Sequence, residues 1–217
     1  MHSTHSVRAL FAGLIALQLA LSAGGAAIAD SASAKPGPAR STERIVLAGG
    51  CFWGMEAVFE QLKGVSKVVA GYSGGDSATA HYEMVSTGTT GHAESVEVTY
   101  DPAQISFGQL LAVYFLVAHD PTELNRQGPD EGSQYRSEIF YTTASQQHSA
   151  QSYIEALTAQ KTFGDKIVTL VEPLHAFYPA EDYHQHFVEH NPYYPYVVIN
   201  DLPKLAELKR KFPDMVK

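Results

Sequence analysis

A single cysteine, Cys51, stands among 217 residues, so neither an intramolecular disulfide nor a cysteine-built zinc site can form within the chain. Basic residues are also scarce. Lys and Arg number 15 against 23 Asp and Glu, a formal charge of -8, and no basic run is dense enough to neutralise a phosphate backbone. Nucleic acid is therefore not an expected partner. Beyond residue 21 no apolar run approaches the ~20 residues that a bilayer-spanning helix needs. Internal repeats are missing too, which with the acidic surface makes a monomer the expectation. What remains, 45% hydrophobic and 18% charged, is ordinary globular composition and points to one folded domain.

The chain opens with an export address. Arg8 precedes an apolar stretch over residues 9–21, and small residues follow as far as Ala27-Ile28-Ala29, an A-x-A cleavage pattern. A signal peptide over residues 1–29, cut before Asp30, places the mature protein in the periplasm. Residues 30–42, rich in Ser, Ala, Pro and Gly, read as a flexible linker to a catalytic domain over residues 43–200, with a C-terminal helix or tail over 201–217.

Hydrophobic periodicity orders the rest. Residues 44–48 form a short apolar strand that stops at Gly49-Gly50, and Met55, Val58, Phe59 and Leu62 then recur at helical spacing. Further strands are expected at 65–72, 93–100, 137–141 and 167–172, the second of these alternating like a half-buried strand. Helices are expected near 107–115, at 145–161 with Tyr153, Ala156 and Leu157 inward, and at 203–212. Strands 65–72 and 93–100 are joined without a helix, which favours a mixed or antiparallel sheet with helices on one face over a doubly wound one. After Tyr178 the chain is aromatic and proline-rich and is expected to wrap the core in short pieces.

Cys51 lies two residues past the start of the diglycine and just before the predicted helix, where unpaired backbone N–H groups favour thiolate over thiol. Phe52 and Trp53, the latter the only tryptophan, follow directly and could wall a pocket beside the sulfur. His186 and His190 are the histidine pair of this region that helical spacing allows on one face; no metal site is expected from them.

Gly50-Cys51-Phe52-Trp53-Gly54 resembles the signature of the A-class peptide methionine sulfoxide reductases. The likeness continues in order through Gly71-Tyr72-Ser73-Gly74-Gly75, Tyr82-Glu83, Gly91-His92-Ala93-Glu94, Gln134-Tyr135-Arg136-Ser137, Ala180-Glu181-Asp182-Tyr183-His184-Gln185 and Asn191-Pro192. The resemblance implies an α+β two-layer sandwich akin to the ferredoxin-like plait, with a wrapping C-terminal segment. It also implies reduction of methionine S-sulfoxide in proteins, with the free amino acid as a further substrate. In that reading Cys51 attacks the sulfoxide sulfur, Glu94 protonates the departing oxygen, and the phenols of Tyr82 and Tyr135 hydrogen-bond it. Phe52 and Trp53 form the methyl pocket, and Asp130 lies near the substrate backbone. Glu94 must then be held protonated at neutral pH, by burial against aromatic rings and by repulsion from a Cys51 thiolate.

One departure matters. Many members carry further cysteines near the C-terminus, whereas this chain reads Tyr193-Tyr194-Pro195-Tyr196-Val197-Val198 and has none. A Cys51 sulfenic acid would need an external thiol, a thioredoxin-like or glutaredoxin-like protein or a small molecule, and no prosthetic group. Two other readings of the residues are a single-cysteine thiol peroxidase or redox sensor, and a non-enzymatic periplasmic module binding metal or peptide around His186, His190 and the tyrosine-rich tail.

Overall fold

The computed structural model describes residues 41–217; the expected signal peptide and nearly all of the expected linker lie outside the described residues. In chain order the elements are β1 (Glu43–Gly49), α1 (Phe52–Glu60), β2 (Val65–Ser73), α2 (Tyr82–Val85), β3 (Ala93–Tyr100), α3 (Phe107–Val113), β4 (Arg126–Gln127) and β5 (Asp130–Glu131). Then come β6 (Ser137–Tyr141), α4 (Ala144–Ala159), β7 (Leu170–Pro173), β8 (Phe177–Pro179), α5 (Phe187–His190) and α6 (Leu202–Lys211).

Six strands form one mixed sheet in the order β7-β6-β1-β3-β2-β8, with only β6 and β7 parallel; β4 and β5 make a separate small hairpin. The alternation of β1 sorts its residues between two layers. Ile45 and Leu47 face the main core with Met55, Val58 and Phe59 of α1 and Leu110 and Leu111 of α3. Val46 and Ala48 face a smaller cluster with Phe140, closed by Leu174 and Phe177 from the chain around β8. Helices thus cover one face and irregular chain the other, the expected α+β arrangement, although the short α2 lies in the connection from β2 to β3 that the sequence read as free of helix.

Some details differ from expectation. Because β3 lies between β1 and β2, it is buried almost throughout rather than on alternate residues, with Glu97 and Thr99 half-buried. In α4 Leu157 is buried and Tyr153 half-buried as expected, but Ala156 is exposed, and Gln146, Ala150 and Ile154 complete the inward stripe. The strand expected at 167–172 begins later, at Leu170, where pairing with β6 starts. Residues 201–217 are no appendage, since Leu208 of α6 is fully buried in the main core and Val216 bridges to Leu62.

Candidate active site

Gly50 closes β1 in a left-handed conformation, φ +96°, which a side chain would oppose, and this turn delivers Cys51 to the N-cap of α1. Cys51 is half-buried as a residue and lines a cavity of about 180 Å³. Cys51, Phe52, Trp53, Tyr82, Glu94, Asp130 and Tyr135, scattered over 85 residues of sequence, all line it, together with Tyr194 and Tyr196. The volume suits a single side chain and is below the ~300 Å³ at which pockets for drug-sized ligands begin.

Glu94 is 2% exposed on β3, and its Oε2 accepts the Phe52 N–H at 3.1 Å. Burial, and next to it the Asp130 charge, push its carboxyl up to about 8 against that hydrogen bond, so the acid form predominates at neutral pH. Cys51 is displaced the other way from the expectation. The Trp53 backbone N–H does favour thiolate, but burial and then the carboxylates of Glu94, Asp201 and Asp130 outweigh it, and the thiol sits well above its usual range. The helix N-terminus moderates that rise without reversing it. Repulsion between the two groups therefore bears on the cysteine, not on Glu94 as the sequence suggested.

The aromatic wall is built from three stretches of chain. Trp53 stacks on Phe187 at 3.7 Å and 8°, meets Tyr194 and Tyr196 edge-on, and donates its Nε1–H to His184 Nδ1 at 3.0 Å. Accepting at Nδ1 fixes His184 as a neutral ring with its proton on Nε2. Burial keeps it neutral by lowering its basicity. Glu181 acts as a clamp: Oε2 accepts the Tyr72 hydroxyl at 2.8 Å and Oε1 the Tyr82 backbone N–H at 2.9 Å, which pins α2 at the cavity mouth. Gln185 joins the same segment to β2, its amide exchanging hydrogen bonds with both the N–H and the carbonyl of Ala70. Arg136 binds Glu138 at 2.6 Å and the carbonyls of Ser133 and Gly91, and so shapes the loop that holds Tyr135.

Three participants escaped the sequence reading. Tyr196 donates its hydroxyl to Asp130 Oδ2, and burial pushes that phenol up. Tyr194 closes the cavity beside it, and Asp201, fully buried with neither carboxylate oxygen hydrogen-bonded, packs against Gly54 of α1. The aromatic density after Asn191-Pro192 was the available signal for the two tyrosines.

Fold and cavity together define a class, an oxidoreductase acting at sulfur. A family model described as peptide methionine sulfoxide reductase matches residues 43–215. Among curated relatives, peptide methionine sulfoxide reductase MsrA 2 of Mesorhizobium japonicum is 58% identical over 175 residues, 81% of this chain and 90% of the relative. MsrA 2 of Synechocystis is 56% identical over 179 residues, 82% and 84%. The crystal structure of reduced Mxr1 from Saccharomyces cerevisiae superposes with a TM-score of 0.67 at 35% identity, covering 74% of this chain and 91% of that one. The chain belongs to the peptide methionine sulfoxide reductase family.

Proposed function

We propose that the protein reduces the S epimer of methionine sulfoxide in oxidised proteins, with Cys51 as nucleophile and Glu94 as general acid. The observation that carries this reading is the meeting of a thiol and a protonated carboxyl in one small cavity with an aromatic wall. The S-methyl group rests against Phe52 and Trp53, which exclude water from the reacting sulfur. Cys51 attacks that sulfur while Glu94 gives its proton to the oxygen, whose developing charge is met by the phenols of Tyr82 and Tyr135. Asp130, held by Tyr196, borders the entrance where the substrate backbone lies.

Net, Cys51–SH and the sulfoxide become Cys51–SOH and the thioether, so cysteine is oxidised and methionine sulfur reduced. One external thiol then displaces water to give a mixed disulfide, and a second releases Cys51. With no other cysteine in the chain, both must come from outside, from a thioredoxin-like or glutaredoxin-like protein or a small thiol. The signal-like N-terminus supports a periplasmic site of action, an oxidising compartment in which a dedicated thiol supply is required.

Turnover of separated S and R methionine sulfoxide with dithiothreitol tests the reading. Consumption of S alone, abolished by Cys51→Ser, is expected; turnover of peroxide instead would move the assignment to a thiol peroxidase.

A further inference from the structure

One turn along α1 from Trp53, Glu56 and Glu60 share a helix face four residues apart. Glu56 is 1% exposed. Its Oε2 accepts the His186 backbone N–H at 2.7 Å, while Oε1 is buried and has no hydrogen-bond partner. Glu60 Oε1 lies 2.7 Å from His186 Nδ1. Among the described residues neither carboxylate has a lysine or arginine within ion-pair distance; Lys217, whose charge acts on Glu60, donates instead to the Glu60 backbone carbonyl at 2.6 Å. His186 reaches them from a left-handed backbone conformation, φ +52°, unusual for a residue with a side chain. His190, on the same face, meets the His186 ring edge to face at 6.1 Å.

One imidazole nitrogen and two carboxylate oxygens, one from each of these residues, lie within 4.8 Å of one another. The cluster borders a cleft of about 680 Å³, into which Glu60 and His186 are partly exposed, so an ion has a path in from solvent. A buried carboxylate oxygen with no donor is costly unless a proton or a cation meets it. Three protein ligands with an open fourth position are the donor set of a zinc-type ion, and mixed nitrogen and carboxylate donors suit its borderline softness.

We propose that Glu56, Glu60 and His186 form a binding site for a divalent zinc-type cation, separate from the Cys51 cavity, with water as the fourth ligand. On binding, the ion takes the place of the hydrogen between His186 Nδ1 and Glu60 Oε1, and the neutral ring then carries its hydrogen on Nε2. The two ligand atoms then part from 2.7 Å to about 3.4 Å, the edge of a tetrahedron with bonds of ~2.1 Å. Because His184 and Gln185 immediately precede His186, the ion would tie α1 to the segment that seats Trp53 and braces β2.

Calorimetric titration of the untagged full chain with zinc chloride, repeated in a Cys51→Ser background to remove the thiol as a ligand, tests the site. One ion per chain and a raised Tm are expected in both. Affinity should fall about tenfold or more in His186→Ala and in Glu60→Gln, both partly exposed positions, and stay unchanged in His190→Ala. Absence of binding at millimolar zinc in a folded chain, or equal binding by His186→Ala, would overturn the proposal.

Discussion

Glu94 is subject to two opposed influences, burial that favours its neutral form and the Phe52 N–H that favours its charge, and burial wins. That balance suits it to the proposed role of proton source, and Glu94→Gln removes the proton while keeping the shape. Glu94→Gln should lose kcat/KM toward the upper end of general-acid contributions, about 10⁴-fold. Tyr82→Phe or Tyr135→Phe alone should lose about tenfold to a hundredfold, since one phenol remains to meet the developing charge. Comparable losses in all three would contradict this division of labour in steady-state kinetics. The pH profile follows with its sign. Below about 8 Glu94 holds its proton, and above it the acid is lost. The Cys51 thiol is raised well above its usual range, so the thiolate fraction grows with pH throughout the neutral region. Hence log kcat/KM should climb with pH below about 8 and level off above it, where the gain in thiolate is offset by the loss of the Glu94 proton, and in Glu94→Gln the residual activity should keep climbing without that break. A profile that is level near pH 7 and falls through about 8 would mean that thiolate formation does not enter the rate.

At the scale of elements, α1 presents the chemistry and its first turn is held from behind. A Cβ at Gly54 would collide with the fully buried Asp201 carboxylate, so the glycine is what lets the chain before α6 close over α1. Gly54→Ala should therefore destabilise by about 1–3 kcal/mol, read as a lowered Tm, although alanine is the better helix former. Asp201→Ala should restore most of that, because the Asp201 oxygens have no hydrogen bonds to lose. Such closeness between positions 147 residues apart has no signature in local sequence. By contrast, the step from β1 through Gly49-Gly50 into α1 was legible, because an apolar run, a punctuating diglycine and a change of period coincide there. The four-residue α2 was not. Its N-terminal turn is held by Glu181, 99 residues away, and its own sequence has no helical stripe. The hairpin of β4 and β5 is two residues a side, too short for alternation to show.

For the whole molecule, the expected cavity residues could be named because the motifs of a family bring them together, not because their local sequence demanded it. Glu94 read alone is a charge in a strand, and only the sheet, by setting β3 between β1 and β2, makes it buried and acidic. Tyr194 and Tyr196 were overlooked since the C-terminal chain returns across α1 through tertiary contacts that periodicity does not encode. The same tail supplies no cysteine, so in the proposed cycle Cys51 depends on a second molecule for its return to the thiol. A single turnover without any thiol tests this most directly: excess methionine S-sulfoxide is mixed with reduced protein, and methionine and trapped sulfenic acid are counted together. One methionine per chain, matched by one sulfenic acid on Cys51, is the predicted result. Continued turnover without thiol, or methionine formed while Cys51 stays reduced, would contradict the account.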